Sequence, residues 1–288
     1  MAFLAIAGLA AAYIVYEGVL LTPEEQYKRG VGYYETGQDA ELLPDSEQEA
    51  QEWYRKAVKW FHKAAKRGHV DAQFAMGHCC DNGEGIEQNQ TKAVEWYHEA
   101  AEQGHAMAQY SLGVCYANGI GVRGRDDDEA YKWYSKAAEQ ELADAQYAIG
   151  GCYEHGWGVR KDADEAVRWY RKAAGQKFAN AQYALGRCFE SGNGVREADI
   201  VEALEWYRKA EAQGHEDAIA AASRLAQLIA RIKAWEKRRD AKLEEWAPGF
   251  AKADKLIAED NVVEALSITS ALKREMEEWE RANPKPEH

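Results

Sequence analysis

Five cysteines are the residues of this chain best suited to chemistry, because a thiolate can act as a nucleophile, a disulfide partner or a metal ligand. Four follow a Gly-x motif at intervals of 36, 37 and 36 residues, and the fifth adjoins the first of them: Cys79, Cys115, Cys152 and Cys188, with Cys80. If the interval marks stacked helical units, equivalent residues lie two helix layers apart, on the order of 10 Å or more. A disulfide needs Cα atoms within about 7 Å. We therefore predict unpaired core cysteines with no redox or metal role.

Three histidines also recur at one position of the interval, each directly after a glycine: His69, His105 and His215. The same separation prevents them from sharing an ion. His98 opens a near match to the zinc-protease pattern His-Glu-x-x-His, but Glu102 occupies the place of the second ligand. No serine-hydrolase elbow or Walker loop is found. The sequence predicts no catalytic residue, no metal site and no cofactor.

A Gly-x-Gly motif occurs once in each interval, and its middle residue varies. A dinucleotide-binding loop of this composition follows a strand and opens a helix, whereas each copy here follows a helical pattern, so we interpret it as a chain reversal. Large apolar side chains on rigid loops are typical anchors of protein interfaces, although Trp157 has the alternative of folding back onto its own helices. We predict that the four middle residues contact a partner: Glu84, Ile120, Trp157 and Asn193.

The elements that would position these residues follow from a repeated tryptophan. Five tryptophans are spaced 36, 37, 36 and 37 residues apart, an interval typical of stacked helix pairs: Trp60, Trp96, Trp133, Trp169 and Trp206. We expect helix A of each pair to end at the Gly-x-Gly loop, where glycine permits a left-handed conformation, and helix B to follow. Asx side chains can cap the free backbone N–H groups. They predict N-caps of helix A at Asp71, Asp144, Asn180 and Asp217, and of helix B at Asn89, Asp126, Asp162 and Asp199.

The repeated motifs Ala-Gln-Tyr-x-x-Gly, Gly-x-Gly-Val and Ala-x-x-Trp-Tyr-x-Lys-Ala-Ala resemble Sel1-like repeats, a branch of the tetratricopeptide-type α-solenoids. The resemblance covers about residues 57–218. It implies an all-α fold, which is a right-handed α-solenoid of helix-turn-helix repeats with a helical C-terminal cap. By the same resemblance, such a solenoid is a non-enzymatic scaffold that binds a protein or peptide on its superhelical surface.

The repeat pattern also divides the chain. We place a degenerate first repeat at 26–70, with a helix B that starts at a capping box on Ser46, and four Sel1-like repeats at 71–216. Residues 217–288 depart from the pattern and are expected to be helical, with a break at Pro248, because proline interrupts helix interiors. This extension would close the end of the array.

The N-terminal residues 1–22 are apolar almost throughout, with Glu17 as their one charged residue. Their length is about that of a helix that crosses a bilayer. A membrane anchor, a cleaved signal peptide and a docked helix remain as alternatives, and we expect the anchor. Because Lys28 and Arg29 follow the segment, the repeats would face the cytoplasm rather than the periplasm.

Composition narrows the class of partner. The chain carries 36 basic and 49 acidic side chains, a net charge of −13. This argues against nucleic acid, which needs a basic surface, and favours a protein partner with a basic patch. The family resemblance leaves two further functions as alternatives. One is an immunity protein that blocks a secreted toxic enzyme, and the more remote one is a cell-wall or β-lactam hydrolase.

Overall fold

Helices form almost all of the computed structural model, which describes residues 21–44, 46–259 and 261–286. Within these ranges there are twelve α-helices and no β-strand. The helices are α1 (Pro23–Glu41), α2 (Glu47–Ala65), α3 (Val70–Asn82), α4 (Gln90–Glu102), α5 (Ala106–Asn118), α6 (Asp127–Glu139), α7 (Ala143–His155), α8 (Ala163–Gly175), α9 (Ala179–Ser191), α10 (Ile200–Glu211), α11 (Glu216–Ala258) and α12 (Val262–Ala282). Because consecutive helices pack in pairs from α1/α2 to α7/α8, the predicted all-α solenoid is confirmed.

The helices belong to two compact units, the first ending at Ala181 and the second starting at Gln182. The interior of the first unit is rich in alanine, and one larger apolar side chain is fully buried on each of α3, α5 and α7: Met76, Leu112 and Ile149. Small residues let the helix axes approach closely. In the second unit, α10 packs on α11 and α11 packs on α12.

In the pairs of helix A and helix B, a glycine of helix A packs directly beneath an aromatic ring of helix B. A Cβ atom built on Gly77 would lie 2.5 Å from the Cδ1 atom of Tyr97, well inside van der Waals contact. The missing side chain lets the Tyr97 ring lie on the α3 backbone, which sets a short distance between α3 and α4. The same arrangement joins Gly113 to Tyr134, Gly150 to Tyr170, Gly186 to Tyr207 and, in the first pair, Gly30 to Phe61.

The predicted N-caps of helix B are confirmed. In each case a side-chain oxygen accepts a hydrogen bond from a backbone N–H in the first turn, as for Asn89 and the N–H of Lys92 at 3.0 Å. The other three caps are Asp126, Asp162 and Asp199. Helix A also ends as predicted, at glycines with φ between 70° and 81°.

The predicted N-caps of helix A are wrong by two residues. The cap of α3 is His69 instead of Asp71, and that of α7 is Leu142 instead of Asp144, with no capping hydrogen bond from the Leu142 side chain. The cap of α5, for which no Asx residue was predicted, is also a histidine, His105. The Nδ1 atom of His105 accepts from the backbone N–H of Ala108 at 3.1 Å, and His215 caps α11 in the same way. Asp71 lies instead inside the first turn of α3, where its negative charge favours the positive end of the helix dipole.

Two predictions for the ends of the array are also wrong. The hydroxyl of Ser46 does not cap α2, because it donates to the carbonyls of Ala40 and Leu43. The helix is not broken at Pro248, which lies inside α11. Proline costs about 3 kcal/mol in a helix interior. Packing against α12 offsets that cost, since a Cβ atom on Gly249 would lie 2.9 Å from Leu272.

No helix in residues 21–44, 46–259 and 261–286 is long and apolar enough to cross a membrane. This corrects the expectation of a membrane-anchored protein whose repeats face the cytoplasm or the periplasm. The expected anchor at 1–22 lies, up to residue 20, outside the described residues.

Replacement of Gly77 by alanine should destabilise the fold, because the added methyl group overlaps the Tyr97 ring. We expect a loss of about 1–3 kcal/mol in the free energy of unfolding, the usual range for overpacking. Gly175 is the matched control, since it is helical and has nothing within 4 Å of an added Cβ atom. Gly175→Ala should gain up to about 1 kcal/mol. Urea denaturation gives the free energy of unfolding of both variants. If both substitutions raised it equally, the contact between Gly77 and the Tyr97 ring would not be tight, and the prediction would be wrong.

Candidate protein-binding groove

The Gly-x-Gly loops are held tightly against the preceding helix pair. The second glycine of each loop has a positive φ, for example 67° at Gly121 and 64° at Gly158. An added Cβ atom at Gly121 would overlap the carbonyl of Gln90, and one at Gly158 would overlap the carbonyl of Asp127. These two loops therefore lie directly on the first turn of the preceding helix B, and the loop of Gly85 lies on the middle of α2, at the backbone of Tyr54. The middle residue of each of the three loops is displayed from a rigid support.

The four middle residues that the sequence singled out have different environments. The Trp157 side chain is 44% exposed. It packs partly on the His155 ring at a centroid distance of 4.4 Å and beneath the Arg125 guanidinium at 5.4 Å. Ile120 is half-buried and Asn193 is exposed, the latter in the second unit. Partner binding by these residues stays a prediction.

Glu84 turns inward and forms a polar cluster. Its Oε2 atom accepts from the Tyr34 hydroxyl at 2.9 Å and lies 3.1 Å from the Nδ1 atom of His78. Burial acts to raise the pKa of Glu84, but hydrogen bonds from His78 and Tyr34 outweigh it and hold the pKa below its ordinary value. The Glu84 contact also raises the pKa of His78. The cluster thus stabilises one position of α1 relative to α3.

A groove of about 380 Å³ lies beside this cluster, between α1 and α3. Aromatic rings form most of its walls, and five of its nine lining residues also carry a polar group, a mixture of apolar surface and polar groups that is found in binding sites. Most of its side chains are half-buried, while Glu35 and Gln38 are exposed at the rim. The lining residues are Tyr27, Val31, Tyr34, Glu35, Gln38, Phe61, Phe74, Ala75 and His78.

The aromatic rings of helix A are fixed by the capping residue of the next helix A. Phe74 stacks on the His105 ring at a centroid distance of 4.6 Å, and Tyr27 stacks on His69 at 4.7 Å. The same histidines cap α3 and α5, so each ring supports the groove wall and a helix start together. This role was missed in the sequence, although the Gly-His pair after helix B and the aromatic position of helix A were both visible there.

The remaining chemical candidates are packing residues. All five cysteines are buried in the core, as predicted. Burial raises the pKa of the Cys115 thiol to about 11 and that of Cys152 to about 12, which keeps both protonated and unreactive at neutral pH. His98 meets the edge of the Trp133 ring at 5.6 Å. Among the residues that the structure describes, no group of three potential ligands is placed to hold a metal ion.

The chain belongs to the Sel1 repeat family. The family model matches residues 26–59, 54–69, 70–105, 106–142, 143–178 and 179–215. No curated protein matches the chain. Sel1 repeat proteins are in general non-enzymatic scaffolds that bind protein partners.

Solved structures support the same assignment. A Sel1 repeat protein from Oxalobacter formigenes is 32% identical over 73% of this chain and 80% of its own, with a TM-score of 0.60. A protective antigen of uropathogenic Escherichia coli with an SLR fold is 25% identical over 90% of this chain and 64% of its own, with a TM-score of 0.62. An immunity protein from Pseudomonas aeruginosa is 21% identical over 66% of this chain and 67% of its own, with a TM-score of 0.44. The last is too distant to support a functional argument.

The His105 cap makes the stability of the fold depend on pH. Burial lowers the pKa of His105 below its ordinary value of 6.5, even though Asp71 lies 3.4 Å from its Nε2 atom. Protonation would also remove the Nδ1 acceptor used in the cap. The stabilisation is therefore complete above pH 6.5 and is lost as the pH falls through the lower, folded-state pKa.

The variant His105→Asn keeps a capping side chain that does not titrate. We expect its free energy of unfolding, measured in urea at about pH 7.5 and about pH 5.5, to fall less than that of the wild type. The other histidines are the same in both proteins, so the difference reports on His105 alone. If the free energy of unfolding fell equally with pH in the two proteins, protonation of His105 would not be the cause of the pH dependence.

Proposed function

We propose that this chain is a non-enzymatic scaffold that binds a peptide segment of a partner protein in the groove between α1 and α3. The observation that carries the proposal is the groove itself, in which half-buried aromatic rings from two successive A helices face an open space of about 380 Å³. Such a space suits one or two apolar side chains of an extended or helical segment.

The groove is supported on both sides, which favours binding without a large loss of conformational entropy. Tyr34 is fixed by its hydrogen bond to Glu84, and Phe74 is fixed by its stack on His105. Gly30 holds the Phe61 ring against the α1 backbone. A ligand would therefore meet walls that are already ordered.

Charge indicates the flanking residues of the ligand. Glu35 is exposed at the rim of the groove, and the chain as a whole carries a net charge of −13. A basic residue next to the apolar anchor would be attracted by both. We infer that the partner presents an aromatic or aliphatic anchor with lysine or arginine beside it.

Selection from a random peptide library, followed by fluorescence polarisation with the selected peptides, tests this proposal. Ala75→Trp fills the groove and should weaken binding by about tenfold or more, equivalent to about 1.4 kcal/mol. Glu35→Lys should weaken peptides that carry basic residues. Asp39→Lys makes the same charge change on an exposed residue one turn along α1 and outside the groove. It is the matched control and should bind like the wild type.

Two outcomes would contradict the proposal. One is that the selected peptides bind Ala75→Trp as tightly as the wild type. The other is that Glu35→Lys and Asp39→Lys weaken them equally, since general electrostatic attraction would then explain the binding without the groove.

A second candidate function is inhibition of a secreted toxic enzyme by occlusion of its active site. The observation in its favour is Trp157, a large aromatic side chain that is 44% exposed on a rigid loop. Such residues are typical hot spots of tight interfaces.

Co-expression with a toxic enzyme encoded beside this gene tests the inhibitor function. Growth should be rescued, and rescue should be lost on Trp157→Ala but kept on Met107→Ala, an apolar residue that is 40% exposed on α5. Absence of such a gene, or rescue by both variants, would dismiss this candidate.

A further inference from the structure

A stretch of α11 is strongly basic although the chain is acidic. Residues 231–242 contain six basic and two acidic side chains, a net charge of +4 within a chain whose net charge is −13. The stretch belongs to the second unit, whereas the groove between α1 and α3 belongs to the first. Clustered like charges raise the energy of the free protein, and a ligand of opposite sign relieves that repulsion.

Part of this stretch lines a cavity of about 830 Å³. Arg231, Ala234, Lys237 and Arg238 form one wall, and the segment from Pro284 to Pro286 that follows α12 forms the other. The indole N–H of Trp235 donates to the carbonyl of Asn283 at 2.8 Å, which holds the returning segment against α11. The cavity is therefore built by a specific contact.

The basic side chains of the stretch fall into two groups. Arg239 is paired with Asp240 at 2.7 Å, and Lys242 is paired with Glu245 at 2.7 Å. Within residues 21–44, 46–259 and 261–286, by contrast, no carboxylate forms an ion pair with the cations of the cavity. These are Arg231, Lys237, Arg238 and Lys285. The paired cations lie outside the cavity. Inside it, Lys285 lies over the Trp235 ring at 6.0 Å from the centroid, which leaves its ammonium group able to pair with a carboxylate of a ligand.

We propose that this cavity binds an acidic peptide segment of a partner protein, with carboxylates placed on Arg231, Lys237, Arg238 and Lys285. Seven residues of helix separate the two arginines, which corresponds to about 10 Å along the axis. Carboxylates three residues apart on an extended chain have a similar spacing, about 3.3 Å per residue. Each guanidinium can bind a carboxylate through two parallel hydrogen bonds.

The same features disfavour other anions. The cations are spread along two turns of helix, whereas a single phosphate needs donors that converge on one point. The cavity wall is the middle of α11, whose backbone N–H groups are used within the helix and cannot form a phosphate cradle. A nucleic acid has a dense charge that extends beyond the cavity, and the acidic remainder of the chain repels it. A short acidic peptide meets only the basic wall.

This site is independent of the groove in the first unit, and it has the opposite charge preference.

The test uses the full chain and a fluorescein-labelled decapeptide with glutamate at every third position. Binding is measured by fluorescence polarisation at low and physiological salt. Arg238→Gln and Lys285→Gln should each weaken binding by about tenfold. Lys233→Gln removes the same charge from an exposed position of the same helix outside the cavity. Lys233 lies one helical turn from Lys237 but outside the cavity, so its replacement should weaken binding by no more than about twofold to threefold, through screened attraction alone.

Competition identifies the class of ligand. The proposal expects a peptide with glutamine in place of glutamate, inorganic phosphate and a single-stranded DNA oligonucleotide to displace the probe poorly. It is overturned if Lys233→Gln weakens binding as much as Arg238→Gln, or if phosphate or the oligonucleotide competes as well as unlabelled peptide. It is also overturned if the chain self-associates in analytical ultracentrifugation and Arg238→Gln abolishes that association, because an acidic segment of a second copy would then be the occupant. Unchanged circular dichroism spectra of the variants exclude loss of folding as the cause.

Discussion

The contact between a glycine Cα atom and an aromatic ring is the interaction on which the rest of the array depends. It recurs as Gly77 with Tyr97, Gly113 with Tyr134 and Gly150 with Tyr170. A ring placed directly on backbone fixes both the distance and the register of two helices, because no side chain of intermediate size remains to adjust. The repeat can therefore vary its surface residues freely, while each new pair is added with the same geometry.

Two further contacts connect one pair to the next. The second glycine of each loop rests on the preceding helix B, as Gly121 does on Gln90. A buried glutamine of helix A, such as Gln109, donates to a carbonyl at the end of the previous helix B at 3.1 Å and accepts from Gln140 at 2.8 Å. A buried amide is costly unless it is hydrogen-bonded. Since one partner lies near the end of α4 and the other is the C-cap residue of α6, the amide is satisfied only when α4, α5 and α6 are correctly placed.

Sequence patterns predicted the features that depend on local chemistry. The caps of helix B and its preceding glycines follow from the preferences of Asx and glycine, so Asp126 and Gly119 were placed correctly. The cap on His69 was missed because Asp71, two residues later, is of a type preferred at N-caps, and only the backbone shows which of the two precedes the helix. Glu84 has the same place in its Gly-x-Gly loop as Trp157, but its carboxylate accepts a hydrogen bond from Tyr34, which precedes it by 50 residues in the sequence. Such tertiary contacts leave no periodic signal.

Two surfaces of the chain differ in charge, which the net charge of the whole chain does not show. The groove in the first unit has Glu35 at its rim, and the cavity in the second unit is lined by four cations, Arg238 among them, that form no ion pair with a carboxylate in the part of the chain that the structure describes. Electrostatic complementarity selects partners more than it adds affinity. A basic segment of one partner would therefore bind to the first unit and an acidic segment of another partner to the second, so that the two would not compete for one site. A scaffold with these properties joins two partners by raising the effective concentration of each near the other, and it needs no catalytic group to do so.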